Sequence, residues 1–195
     1  LPICARITVY RNEGGYYLPE TNLVGYAIKA LPLAQPLYSF DEGAYEVDLY
    51  KDFYVARQLL STLKTTNKII HVTGSIFAHE NGLQDCLLLN DEKNVTEALQ
   101  GNLFMLLDNK LITPPVSDGC INGVMRKNII ALAKAEGIDV SEVSISPFDL
   151  QKADELFLTN VIKGIRPITK YRKKEYGNNV ALLLTKKLNE SIGTV

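Results

Sequence analysis

Three short stretches hold residues whose types and spacing could do chemistry. Lys64 stands in Leu63-Lys64-Thr65-Thr66-Asn67, with apolar residues just before it. A lysine at the junction of two elements can be drawn out of water, which lowers its pKa and frees the amine to attack a carbonyl. The plain alternative is a solvated lysine at a helix start. Glu97 ends a strand-like run after Asn94, Val95 and Thr96, and Ala98-Leu99-Gln100-Gly101 follow it. A carboxylate among apolar and small residues is costly to bury unless it meets a cation; otherwise it belongs to a turn in solvent. The third stretch is the loop Ser117-Asp118-Gly119-Cys120-Ile121-Asn122-Gly123, which feeds straight into a helical pattern. Its glycines leave the first N–H groups of that helix unobstructed, so the terminus can receive an anion. An ordinary turn with Asn122 as the capping residue is the other reading.

The background to these residues is that of an average globular protein. Of 195 residues, 46% are apolar and 22% charged, enough for a sizeable core in one domain or one and a half. With 21 Lys+Arg against 22 Asp+Glu, the net charge of −1 excludes a chain-wide basic footprint for nucleic acid. The run Lys170-Tyr171-Arg172-Lys173-Lys174, next to Glu175, is too short to change that and is expected as a solvated loop. No apolar run approaches the roughly 18 residues of a membrane-spanning helix, so no membrane partner is expected. Cys4, Cys86 and Cys120 are odd in number and widely spaced. Reduced thiols of a cytoplasmic protein are therefore expected, rather than disulfides or a zinc site. His71 and His79 lack the HExxH spacing and are expected as ordinary surface residues of a helix, so no metal is expected. The chain opens at strand-like density with neither Met nor a charged leader, and is expected to begin part-way through a longer protein.

The elements that must position the three stretches follow from periodicity. Residues 6–10 alternate and are rich in β-branched side chains, which predicts a strand, and 23–30 predict a second. Pro32 and Pro36 then mark a connector. Further strands are expected over 45–50, 86–89, 103–107, 111–113 and 156–158, with turns at 90–94 and at Asp108-Asn109-Lys110. Helices are expected over 66–80, 124–136 and 176–191. The middle one turns Ile129, Ile130, Leu132 and Ala133 inward and places Gly137 just beyond its end. Hairpin strands with interspersed helices predict an α+β (mixed) fold rather than a regular βαβ winding. The expected limits are a small domain's remainder over 1–30, a connector over 31–38 and a large domain over 39–195.

Taken in order, Lys64, Val95-Thr96-Glu97, Asn102-Leu103-Phe104, Thr113 and Ile121-Asn122-Gly123-Val124-Met125-Arg126 resemble the class IV aminotransferase family, the pyridoxal-phosphate enzymes of fold type IV. Asp154-Glu155-Leu156-Phe157-Leu158-Thr159-Asn160, followed by Arg166-Pro167-Ile168, is similar to that family's last phosphate-side loop. The resemblance runs from about Lys64 to Ile168. It implies that Lys64 carries pyridoxal 5'-phosphate and serves as the catalytic base, with its pKa lowered by partial burial. It implies that Glu97 pairs with the pyridine nitrogen so that the ring can act as an electron sink. The backbone N–H groups of Val124 and Met125 would hold the phosphate. Asn160 and Val161 match the second phosphate-side loop, where Val161 has only its backbone to offer.

The resemblance further implies a small amino-carboxylate substrate, a homodimer, and a small N-terminal domain that supplies a phosphate-binding arginine with no counterpart in this sequence. The loop through Ile121 and Arg126 is closer to aminodeoxychorismate lyases, which release 4-aminobenzoate for folate synthesis, than to the transaminases. Arg11 with Gly14-Gly15 points the same way, but Tyr16 stands where a lyase would carry arginine. Ile69, five residues after Lys64, replaces the tyrosine of many branched-chain aminotransferases. The expectation is a lyase, with branched-chain or D-amino-acid transamination as the alternative. A cofactor-binding remnant without turnover is a third.

Overall fold

The computed structural model of the chain describes residues 2–193; Leu1, Thr194 and Val195, which the expected domain limits include, lie outside the described residues. The chain divides into two compact units, one ending at Leu37 and one beginning at Tyr38.

The first unit is an antiparallel ribbon of β1 (Ile3–Arg11) and β2 (Val24–Pro32), paired from Ile3 opposite Pro32 to Arg11 opposite Val24. The second strand thus runs through Leu31 and Pro32, two residues expected in the connector. Pro32 is tolerated because it closes the ribbon, where one missing N–H donor interrupts no ladder.

The second unit carries β3 (Glu46–Val55), α1 (Ile69–Glu80), β4 (Asp85–Asn90), β5 (Val95–Ala98), β6 (Asn102–Leu107), β7 (Lys110–Thr113) and α2 (Val124–Ala135). After these come β8 (Asp139–Glu142), β9 (Glu155–Asn160), β10 (Gly164–Ile168), β11 (Lys170–Tyr171), β12 (Lys174–Glu175) and α3 (Asn179–Ile192). Ten strands form one mixed sheet in the order β10-β9-β6-β5-β4-β3-β11-β12, with β7 and β8 branching from β6. The fork arises because β5 meets β6 at Asn102 whereas β7 pairs with it over Met105–Leu107. Asp108 and Asn109 both have positive φ, 49° and 59°, which makes the tight turn that the Asp-Asn pair predicts. The fold is α+β and mixed, and two crossovers, β3-α1-β4 and β7-α2-β8, join parallel neighbours.

Two helices begin later than periodicity suggested. The first starts at Ile69, because Thr65, Thr66 and Asn67 are poor helix formers and no side chain caps them. The last starts at Asn179, because the Gly177 N–H is bonded to the Asp154 carbonyl and the Tyr176 hydroxyl to the Leu150 carbonyl. The basic run is no solvated loop. Lys170 and Tyr171 add a strand beside β3, Tyr171 is fully buried, and Lys170 and Arg172 pair with Glu46 and Asp48.

Alternation in β6 and β9 sorts the core. Leu103, Met105, Leu156 and Leu158 fill one face with Leu87, Leu89 and Ile145. Phe104 and Phe157, cross-strand partners stacked at 5.2 Å, face α2 and α3 through Ile129, Ala133 and Leu184. The face that takes α2 also carries the polar row described next.

Candidate active site

Register places three polar residues in one line. Glu97 on β5 pairs with Asn102 on β6, and Asn102 pairs with Thr159 on β9, so all three side chains leave the sheet on one face. Neighbouring strands stand about 5 Å apart, which puts Thr159 roughly 10 Å from Glu97. The row opens on a cavity of about 470 Å³. Lys64, His71, Gly123, Val124, Met125 and Asn160 stand among its walls, and so does Val161. The sheet, the connector before α1, the start of α2 and the β9–β10 turn thus bring together every site residue expected from the sequence.

Glu97 is not a turn carboxylate in solvent. It is the third residue of a four-residue strand and 3% exposed. Its Oε2 accepts the Ile121 N–H at 2.9 Å, and its Oε1 lies 3.6 Å from His71 Nε2. His71 is correspondingly no surface residue: its side chain is 18% exposed and turned inward.

The loop before α2 is clasped from both sides. Asn102 Nδ2 donates to the Ile121 carbonyl at 2.7 Å, and the Asn122 N–H donates to the Thr62 carbonyl at 3.0 Å. Asn122 therefore does not cap the helix. Gly123 occupies that position, and no side chain bonds the first turn. A Cβ at Gly123 would sit 2.2 Å from Asn102 Oδ1, so only glycine allows the loop to lie against the row. With no capping side chain, the first N–H groups of α2, those of Val124 and Met125, stand at the positive end of the helix dipole, and both residues line the cavity. Arg126 points elsewhere, bonding the Pro114 carbonyl and Glu142.

Of the two lysines flanking Asn67, the half-buried one is Lys68. Burial pushes its ammonium below the ordinary lysine range, Glu97 pulls it back, and Lys64 adds to the depression. Lys64 is exposed along the cavity wall, so the partial burial expected of it falls on its neighbour. Every residue of the connector, 63–67, is exposed. Lys68 lines a smaller cavity of about 230 Å³ that shares Glu97 and His71 with the larger one. Ile69 is 65% exposed and lines that smaller cavity.

At the far end, the Asn160 side chain is spent on its own turn. Its Oδ1 accepts the N–H groups of Ile162 and Lys163, and its Nδ2 donates to the Gln100 carbonyl. Thr159, one residue earlier, was not singled out by sequence. Its hydroxyl is buried and has no protein partner. Only the strand register shows that it shares a face with Glu97.

A buried carboxylate at one end, free helix N–H groups, an unpartnered hydroxyl and an amine on the wall match a flat heterocycle with an anionic tail. The cysteines play no part in it. Cys86 and Cys120 are free and buried, and burial pushes both thiols up to about 12. Among the described residues no cluster could hold a metal ion, and no helix is long and apolar enough to cross a membrane.

Fold and site together define an α+β protein with a lysine and a buried acid around one cavity. The chain belongs to the amino-transferase class IV family, whose model matches residues 3–171. A Methanocaldococcus jannaschii protein provisionally named a branched-chain-amino-acid aminotransferase is 35% identical over 185 residues, covering 95% of this chain and 64% of that protein. Aminodeoxychorismate lyase of Vibrio harveyi is 28% identical over 166 residues, covering 84% and 61%. A Brucella abortus aminotransferase solved with the co-factor PLP superposes with a TM-score of 0.82 at 20% identity, covering 98% and 69%. The chain thus spans less than two thirds of the length of the first two relatives.

Proposed function

We propose that this chain is the cofactor-binding part of a pyridoxal-phosphate enzyme acting on a small amino-carboxylate. One observation carries the reading: the buried Glu97 carboxylate, its orientation fixed by the Ile121 N–H, shares a cavity with the Lys64 amine and the uncapped start of α2. Family membership and the PLP-bound relative in fold support it.

Lys64 would hold the aldehyde carbon, and Glu97 would face the ring nitrogen. The first-turn N–H groups of α2 and the Thr159 hydroxyl would meet the phosphate side. Bound pyridoxal phosphate supplies a sink for the electron pair left when the carbon bearing the substrate amine loses its proton. Lys64 would be the base that takes this proton, because its amine stands on the wall of the same cavity as Glu97. Glu97 would face the ring from a buried wall, where the low dielectric strengthens a hydrogen bond to the ring nitrogen. Leu99, Ile121 and Met125 give the same cavity an apolar side.

Two outcomes diverge after that proton is lost. In transamination Lys64 would return it on the cofactor side. In elimination the bond from the neighbouring carbon to the leaving group would break, and the leaving group would depart with the electron pair. Release of pyruvate from 4-amino-4-deoxychorismate, giving 4-aminobenzoate, is favoured by the Asn122-Gly123-Val124-Met125-Arg126 loop. Branched-chain transamination is the second reading, favoured by 35% identity along 95% of the chain. We read the assembly as a homodimer. Ile69, Val72 and Ile76 leave an apolar stripe on α1, each more than half exposed, which a second copy would cover.

The test is uptake of pyridoxal phosphate followed by both product assays. The expected result is a yellow protein that loses its colour in Lys64→Ala, with pyruvate and 4-aminobenzoate as products. Keto-acid formation from leucine would move the assignment to transamination. Colour without turnover would leave a binding remnant, and no colour in the folded protein would sink the reading.

A further inference from the structure

His71 is the one ionisable side chain on α1 that reaches the acid of the row. Its Nε2 stands 3.6 Å from Glu97 Oε1, just beyond hydrogen-bond length, while Glu97 Oε2 is already taken by the Ile121 N–H at 2.9 Å. The two contacts come from different elements, α1 and the loop before α2. Together they leave the carboxylate little freedom to rotate about its last bond. We propose that His71 is a positioning residue that fixes the Glu97 carboxylate for the bound ring, an inference that rests on the cofactor reading above.

Several features favour this role over simple packing. His71 lines both cavities, so it forms part of the partition between them, with Glu97 as the other part. Its side chain is mostly withdrawn from water, and among the described residues Glu97 is the partner of its imidazole. Without His71 on the α1 side, Glu97 Oε1 would face the smaller cavity and the Lys68 ammonium there. The carboxylate could then swing toward Lys68 and away from the larger cavity. The charged and titratable groups around the pair are Lys64 on the connector, Lys68 at the start of α1 and Cys120 in the loop before α2, the last two electrostatically coupled to Glu97. In metal sites, partners that orient a ligand through one contact are worth about 10–100-fold in affinity or activity, and the lower end of that range is the guide here.

The experiment is a double-mutant cycle on pyridoxal-phosphate affinity, read by absorbance titration of the full chain, with thermal melts as a control for folding. His71→Leu is expected to weaken cofactor binding about tenfold when Glu97 is present, and less than twofold in the Glu97→Gln background. His71→Gln, which keeps a donor near the Nε2 position, is expected to restore most of the loss. An equal loss in both backgrounds would make His71 a packing residue and overturn the proposal. So would unchanged affinity in His71→Leu while Lys64→Ala still abolishes the colour, which would leave the cofactor reading standing. No uptake by the unsubstituted chain would overturn that reading, and this inference with it.

Discussion

The two walls of the cavity are built differently. One is the sheet row of Glu97, Asn102 and Thr159, all at most 5% exposed, two of them clasping the loop before α2. The other is the connector of residues 63–67, exposed throughout, with Lys64 on it. An acid must be held still to be useful to a ring, so it is placed where strand pairing and burial over-determine it. A base must reach and withdraw, so it stands on a segment with few anchors. Substitutions should therefore separate: changes on the connector cost chemistry, and changes that open the clasp of Glu97 and Asn102 on the loop before α2 cost folding as well.

The largest effect should come from the connector. Lys64→Ala is expected to lower turnover by about 10²–10⁴-fold, the range for losing a positioned base, with a melting temperature close to the parent's. A marked drop in that temperature would show that Lys64 is structural and would break the contrast.

On the other wall, Gly123→Ala forces a Cβ to within 2.2 Å of Asn102 Oδ1. Relief requires opening the clasp on Ile121, so urea melts should show a loss of about 1–3 kcal/mol. The exposed Thr66→Ala should stay within about 0.5 kcal/mol. Equal losses at the two positions would erase the distinction.

A third effect sharpens the contrast through pH. Asp85 is fully buried at the start of β4, where it accepts the N–H groups of Cys86 and Leu99 and so holds the turn between β5 and β6. Burial raises its pKa from 3.8 to about 6, against the lowering by its backbone hydrogen bonds. The folded state thus binds the proton more tightly than the unfolded state. Stability from this group is full below about pH 4 and is lost as pH rises through about 6, by up to about 3 kcal/mol. Melts of Asp85→Asn between pH 4 and 7 should lack this loss; an unchanged slope would assign it to another group.

The smallest effect should be at Thr159. Its hydroxyl has no protein partner, so Thr159→Val should leave the ligand-free chain within about 1 kcal/mol of the parent. Cofactor release should nonetheless quicken. If stability falls and release does not change, the hydroxyl serves the fold.

The sequence carried some of this more clearly than the rest. Periodicity found α2, and the Asp108-Asn109 pair found its hairpin, because both signals lie within a few residues of one another. The lysine, the acid and the anion-binding helix start were legible as types in order, and resemblance tied them together. What sequence could not carry was register. Thr159 belongs to the site only because β9 pairs with β6 as it does, and no local pattern encodes that pairing. His71 was misread as a surface residue because α1 is apolar on its outer side as well, at Ile69, Val72 and Ile76. Burial at the connector was assigned to Lys64 rather than Lys68, since the helix begins later than its pattern and the two lysines lie on opposite sides of Asn67.

That last point sets the most direct test of the central claim. The chain is loaded with pyridoxal phosphate, reduced with borohydride, digested, and the modified lysine is located by mass spectrometry. The account predicts a pyridoxyl group on Lys64, the lysine on the wall of the larger cavity. A label on Lys68, the lysine with the lowered pKa beside Glu97, or no label at all, would contradict it.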